Sequence, residues 1–133
     1  MKKFKTSIFI LSALFLFVVV SCHKDEHEEI SATISFVEPS ITDTLAFNEE
    51  LHAEGTIVGS AELHGYTLSM TNITTNEELF SATASNHSPS YAFHEHWVNN
   101  VSDSSIIRIN VIVILDHEGN TETKTIDLVA LPL

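Results

Sequence analysis

The chain is poor in the residues that define several protein classes. A single cysteine excludes an intramolecular disulfide and any CxxC pair for zinc binding or thiol exchange. Four glycines and three prolines among 133 residues exclude collagen-like and low-complexity chains. Only six residues are basic against 18 acidic ones, a formal charge of −12, which argues against a nucleic-acid surface. The length suffices for one domain with its own core.

Motifs that mark common enzymes are also missing. The sequence has no Gly-x-Ser-x-Gly nucleophile elbow, no phosphate-binding loop and no dinucleotide fingerprint. A dispersed Ser/His/Asp set stays open, because such triads are recognised by geometry and not by spacing. The sequence therefore predicts a protein that is not an enzyme.

The first 21 residues have the pattern of an export signal. Three lysines precede an apolar run at residues 8–20, which is shorter than the roughly 20 residues of a membrane-spanning helix. Residues 19–22 read Val-Val-Ser-Cys, and small residues before the sole cysteine resemble a lipobox. The resemblance implies a lipoprotein signal peptide at 1–21 and acylation of Cys22. The alternative is an ordinary signal peptide followed by a free thiol.

Residues 22–28 are polar and predict a lipidated cysteine followed by a flexible acidic tether. Residues 24–26, Lys-Asp-Glu, resemble the export signal of Bacteroidetes lipoproteins, which implies an outer-membrane lipoprotein exposed at the cell surface. A generic linker and a periplasm-facing protein are the alternatives. Removing residues 1–21 leaves three bases against 18 acids, so we expect the membrane to be a partner only through the lipid.

Period-two alternation dominates residues 29–133 and predicts a single all-β domain. Seven strands are predicted near residues 30–37, 51–57, 66–71, 78–85, 90–98, 106–115 and 121–131. The fourth is weakly patterned, as expected of an edge strand, and the sixth is nearly all apolar, as expected of a central one. Gly59 and Ser60 are expected to end the second strand, and residues 116–120 to form a hairpin loop.

The predicted strands pack as a two-sheet sandwich whose core follows from their inward positions. Aromatic residues alternate along the fifth strand at Tyr91, Phe93 and Trp97. Such a stripe can stack on sugars, but in a sandwich it is more often part of the core. The predicted core includes Leu68, Trp97, Ile109, Val111, Val113 and Leu128.

Two stretches carry a family resemblance. Residues 116–120 with the Thr-rich strand after them, and residues 50–70 with Leu-His-Gly-Tyr at 63–66, are similar to strands of bacterial immunoglobulin-like domains. With the lipobox, the chain resembles small histidine-containing, immunoglobulin-like surface lipoproteins of Bacteroidetes. The resemblance implies a seven-stranded immunoglobulin/fibronectin type III-like sandwich and no activity. Residues 43–45, Asp-Thr-Leu, resemble an O-glycosylation motif of the same group, which makes Thr44 a candidate glycosylation site.

Eight histidines are the most distinctive feature of the composition, and histidine is the commonest metal ligand. If successive strands alternate in direction, the connections after the second, fourth and sixth strands share one end of the sandwich. These connections contain His64, His87 and His117, and Asp116 and Glu118 flank the last of them. The sequence therefore predicts a candidate zinc or copper site at this end.

A second candidate pair lies on the fifth strand. His94 and His96 are two residues apart, so both side chains project from the same face and can bind one metal. His23, His27 and His52 are assigned to the tether or to solvent. Two functions remain: a non-catalytic module that contacts a surface protein or glycan, or a lipoprotein that captures or buffers zinc or copper at the outer membrane.

Overall fold

A computed structural model describes residues 28–40 and 43–133. The predicted signal peptide, Cys22 and most of the predicted tether lie outside the described residues. Eight strands are present: β1 (Ala32–Glu38), β2 (Thr44–Leu45), β3 (Glu50–Leu63), β4 (Gly65–Asn72), β5 (Glu77–Ala84), β6 (Ser88–Val98), β7 (Ser105–Ile114) and β8 (Thr121–Ala130). In the described part of the chain, no helix is long and apolar enough to span a membrane.

The strands form two sheets that enclose one core. The smaller sheet has the order β1-β3-β6, and the larger has the order β2-β8-β7-β4-β5. All pairings are antiparallel except that of β2 with β8, which is parallel. The predicted fold class, an immunoglobulin-like β-sandwich, is confirmed. As predicted, β7 is central in its sheet and β5 lies at an edge.

The strand boundaries differ from the prediction at two places. The two-residue strand β2 was not predicted, because two residues carry no alternation to read. The predicted end of the second strand at Gly59 and Ser60 is wrong, since β3 continues to Leu63. Its pairing with β6 shifts register between Val58 and Leu63, and a Cβ at Gly59 would collide with the Leu63 side chain. The glycine thus permits an irregularity in the strand where a break was expected.

The core follows the alternation of the strands. Leu68, Ile109, Val111 and Val113 are fully buried and Leu128 is 3 % exposed, as predicted. The prediction for Trp97 is wrong: its ring packs against the core but stays partly exposed, because β6 is an edge strand and Trp97 lies near its end.

Asn99 is a buried polar residue whose hydrogen bonds hold β2 against the rest of the sandwich. Its side-chain amide donates to the carbonyl oxygens of Leu45 (3.2 Å), Ala46 (2.9 Å) and Leu131 (2.8 Å). Its side-chain oxygen accepts a hydrogen bond from the Val101 amide at 3.2 Å. This one residue therefore satisfies buried polar groups from three segments.

Replacing Leu68 by Ala tests the core. The side chain is fully buried, so we expect the free energy of unfolding to fall by about 2–5 kcal/mol. Ser69→Ala is the matched control, because Ser69 follows on the same strand and faces outward, and we expect it to change stability by less than about 0.5 kcal/mol. Urea unfolding measures both, and equal losses would contradict the assigned inward face.

Asn99→Ala tests the buried polar anchor. The substitution removes the side-chain donor of the Leu131 carbonyl and the acceptor of the Val101 amide, and we expect unfolding to become easier by about 1–3 kcal/mol. Asn100→Ala is the control, since the neighbouring side chain is exposed. Thermal unfolding compares the two variants, and an unchanged melting temperature for Asn99→Ala would show that the anchor is dispensable.

Candidate metal centres

The structure groups six of the eight histidines into two sets of three. The face cluster consists of His52, His94 and His96, and it lies on the outer face of the smaller sheet. The apex cluster consists of His64, His87 and His117, and it lies at the end of the sandwich where three connections meet.

The pairing of β3 with β6 builds the face cluster. Leu51 and Ala53 point into the core, so His52 between them points outward. The register places His52 directly opposite His96, and His94 lies two residues away on the same face of β6. Neighbouring positions on two paired strands thus bring the three imidazoles together.

The face cluster has the dimensions of a metal site. Nδ1 of His52 lies 3.4 Å from Nε2 of His94, and one potential ligand atom from each of the three residues lies within 4.8 Å of the others. Two nitrogens bound to one tetrahedral zinc at its usual bond length are about 3.3 Å apart. The ring centroids are 4.5, 4.6 and 5.7 Å apart. The rings are therefore spaced as ligands of one ion would be.

Carboxylates surround the face cluster. One oxygen of Glu50 lies 3.6 Å from Nε2 of His52, and the other lies 3.6 Å from Nδ1 of His96. Glu54 is paired opposite His94, and Glu38 of β1 is paired opposite Glu54. Acidic side chains on adjacent strands repel one another, and a bound cation relieves that repulsion. The electrostatics of this face favour a positive ion.

Short connections build the apex cluster. His64 is the single residue between β3 and β4, and its backbone amide donates to the carbonyl of Ile114 at 2.8 Å. The hydroxyl of Tyr91 donates to the carbonyl of Asn86 and lies 3.3 Å from that of Leu63, which holds the β5–β6 connection beside the end of β3. The His87 ring accordingly lies 4.3 Å from the His64 ring, between centroids.

His117 reaches the same cluster from the β7–β8 hairpin. Asp116 organises this loop by accepting hydrogen bonds from the Glu118 amide (2.9 Å) and from the backbone and side chain of Asn120 (3.1 and 2.7 Å). The hydrogen bond from the Asn120 side chain is the main reason why the pKa of Asp116 lies below its usual value. The rings of His117 and His64 are 4.0 Å apart and perpendicular.

The surroundings of His64 at the apex favour its neutral form. Desolvation lowers the pKa of His64, and the neighbouring His117 and His87 lower it further, against the opposing charges of Asp116 and Glu62. Glu62 also lies 3.4 Å from Nδ1 of His87. The neutral imidazole is the form that binds a metal.

The structure brings most of the predicted metal-ligating residues together. The apex histidines come together, as strand parity predicted, and His94 and His96 share a face. His52, which was assigned to solvent, belongs instead to the face cluster. The sequence predicts the outward position of His52 on the second predicted strand, but it does not predict which strand pairs with that one. Thr44 is exposed on β2, where it pairs with Val129, and its glycosylation stays a prediction. Cys22, His23 and His27 lie outside the described residues.

Known proteins that are similar to this chain are found among solved structures. No protein-family model matches the sequence, and no curated protein matches it. Among solved structures, the chain is similar to the CARDB domain of the PF1109 protein from Pyrococcus furiosus, which was crystallised in complex with di-metal ions. The TM-score is 0.42 at 13 % identity, over 77 % of this chain and 94 % of that chain. At this TM-score, the similarity supports no conclusion about what this chain binds.

Proposed function

We propose that this protein is a non-catalytic metal-binding lipoprotein that captures zinc or copper at the outer membrane. The observation that carries the proposal is the convergence of one ligand atom each from His52, His94 and His96 within 4.8 Å. Imidazole nitrogen suits both zinc and copper, and three protein ligands with one open position is a common zinc arrangement.

Glu50 has a supporting role in this site. Its carboxylate lies beside Nε2 of His52 and Nδ1 of His96, so it can accept the protons on these nitrogens. Nδ1 of His52 and Nε2 of His96 are then left to bind the metal together with Nε2 of His94. Carboxylates that accept from a ligand histidine fix its orientation and increase its basicity.

The exposure of the site suits capture and release better than permanent structural binding. The side chain of His52 is 38 % exposed and that of His96 is 43 % exposed. The cluster lies on the outer face of the β3–β6 pair, whose other face packs against the core, so we expect the fold to form without the ion. The coordination position that faces solvent stays open to water or to an incoming ligand.

Calorimetric titration with zinc tests the proposal on the full chain carrying Cys22→Ser, so that the thiol cannot bind the metal. We expect a site with a Kd below about 100 micromolar, equivalent to about −5.5 kcal/mol. Replacing His52, His94 and His96 by Ala should remove one bound ion, and Glu50→Gln should weaken the same site by about 10-fold.

The matched control replaces His23 and His27 by Ala, which removes the same residue type from the predicted tether. We expect this variant to bind zinc as the parent does. A parent that binds no zinc below 100 micromolar, or a triple variant that binds as many ions as the parent, would overturn the proposal. Copper is titrated in parallel to establish which metal is preferred.

The lipid anchor forms the second part of the proposal. The pattern at residues 19–22 supports acylation of Cys22, and two acyl signals on one residue anchor a protein stably. We expect Cys22→Ala to leave the precursor unprocessed or to release the protein from membranes, as measured by cell fractionation. A variant that still fractionates as mature membrane-bound protein would contradict the anchor.

One observation favours the second candidate function, a module that contacts a surface protein or glycan. Ile106 and Val129 pair across β7 and β8 and are 43 % and 40 % exposed, and Ile73 adjoins them through a hydrogen bond to the Ile106 carbonyl. Exposed apolar groups of this kind are found at protein contacts. This function becomes the better account if the zinc titration fails.

A further inference from the structure

We propose that the apex cluster is a second metal site, so that the protein binds two ions through separate sets of histidines. The inference extends the proposed function to another ion, but it depends on different residues. His64, His87 and His117 belong to the three connections at one end of the sandwich, whereas the face cluster lies on the strands β3 and β6.

The spacing of the apex rings matches that of the face cluster. The apex centroids are 4.0, 4.3 and 5.9 Å apart, and the face centroids are 4.5, 4.6 and 5.7 Å apart. Three imidazoles on one tetrahedral zinc have centroids about 5 Å apart, given zinc–nitrogen bonds of about 2.0–2.1 Å. In both triangles two sides are shorter than this and one is longer, so both are close to the size that one ion requires.

The two clusters differ in the orientation of their rings. The rings of His64 and His117 pack edge to face at 90°, so their nitrogens do not converge as those of the face cluster do. Zinc binding at the apex therefore requires the rings to rotate about their side-chain bonds and the 4.0 Å spacing of His64 and His117 to widen by about 1 Å. The backbone stays in place, held by the hydrogen bonds of His64, Tyr91 and Asp116.

Free ring nitrogens and nearby carboxylates make the apex suitable for a cation. Within residues 28–40 and 43–133, the rings of His64 and His117 contact other histidine rings but form no hydrogen bond to a protein group. Glu62 lies 3.4 Å from Nδ1 of His87. The imidazoles are thus available to bind a metal. The Glu62 carboxylate can orient the His87 ring or bind the ion directly.

An acidic groove adjoins the apex cluster at His117. His117 lines it together with five carboxylate side chains, those of Glu28, Glu29, Asp116, Glu118 and Glu122. Clustered charges of one sign raise the local concentration of counter-ions. The groove therefore favours the approach of a divalent cation to His117 from the side of Glu28 and Glu29.

One ion cannot serve both clusters. His52 and His64 are twelve residues apart along β3 and its exit, which corresponds to roughly 30–40 Å of extended strand. A single zinc ion contacts its ligands at about 2 Å. The structure therefore requires two ions if both clusters bind.

Zinc stoichiometry tests the inference on the full chain carrying Cys22→Ser, by equilibrium dialysis and elemental analysis. We expect two ions in the parent, one in the face variant (His52, His94 and His96 to Ala) and one in an apex variant (His87→Gln with His117→Gln). The apex variant spares His64, which occupies a tight connection, and both of its substituted side chains are exposed. Imidazole NMR signals provide a second readout, and those of His64 should shift with zinc in the face variant.

The outcomes separate the inference from the proposed function. One ion that is lost only in the face variant overturns the apex site and leaves the proposed function intact. One ion that is lost only in the apex variant supports the inference and overturns the face site. No binding in the parent overturns both, and one ion lost in either variant overturns the assignment of two separate sites.

Discussion

The antiparallel pairing of β3 with β6 is the constraint on which the candidate chemistry depends. Gly55 lies directly opposite Phe93, and a Cβ at Gly55 would collide with the Phe93 ring. The aromatic ring therefore fits over the glycine and favours this register over its neighbours. A shift of β6 by one residue would turn Phe93 outward and would turn His94 and His96 into the core, at a large cost in free energy. The buried face of the sheet thus determines the arrangement of its exposed face.

The apex cluster has a different physical origin. Three connections meet at one end because successive strands run in opposite directions, and their shortness limits how far the histidines can spread. His64 alone joins β3 to β4, so its ring must lie at the rim of the sandwich. The Tyr91 hydroxyl then holds the β5–β6 connection beside the end of β3, and the hydrogen bond from the His64 amide to the Ile114 carbonyl holds the end of β7 beside His64. A metal site at this position uses loops that packing beneath them has already fixed.

Period-two alternation made most of the fold predictable, and strand parity made the apex predictable. Alternation is a property of each strand alone, and parity depends only on the order of the strands along the chain. His52 was missed because its role depends on which strand pairs with β3 and in which register, and alternation within one strand does not contain that information. Trp97 was misplaced for a related reason, since an inward position on an edge strand is less covered than one on a central strand. The hydrogen bonds of the Asn99 side chain also connect segments that are far apart in sequence, so no local sequence pattern predicts them.

The most direct test of the central claim is anomalous X-ray diffraction at the zinc absorption edge, from crystals of the protein grown with zinc. The account predicts an anomalous peak above the β3–β6 pair, within about 2.0–2.1 Å of nitrogens from His52, His94 and His96. Anomalous density confined to other positions, with the three imidazoles still in mutual contact, would contradict it.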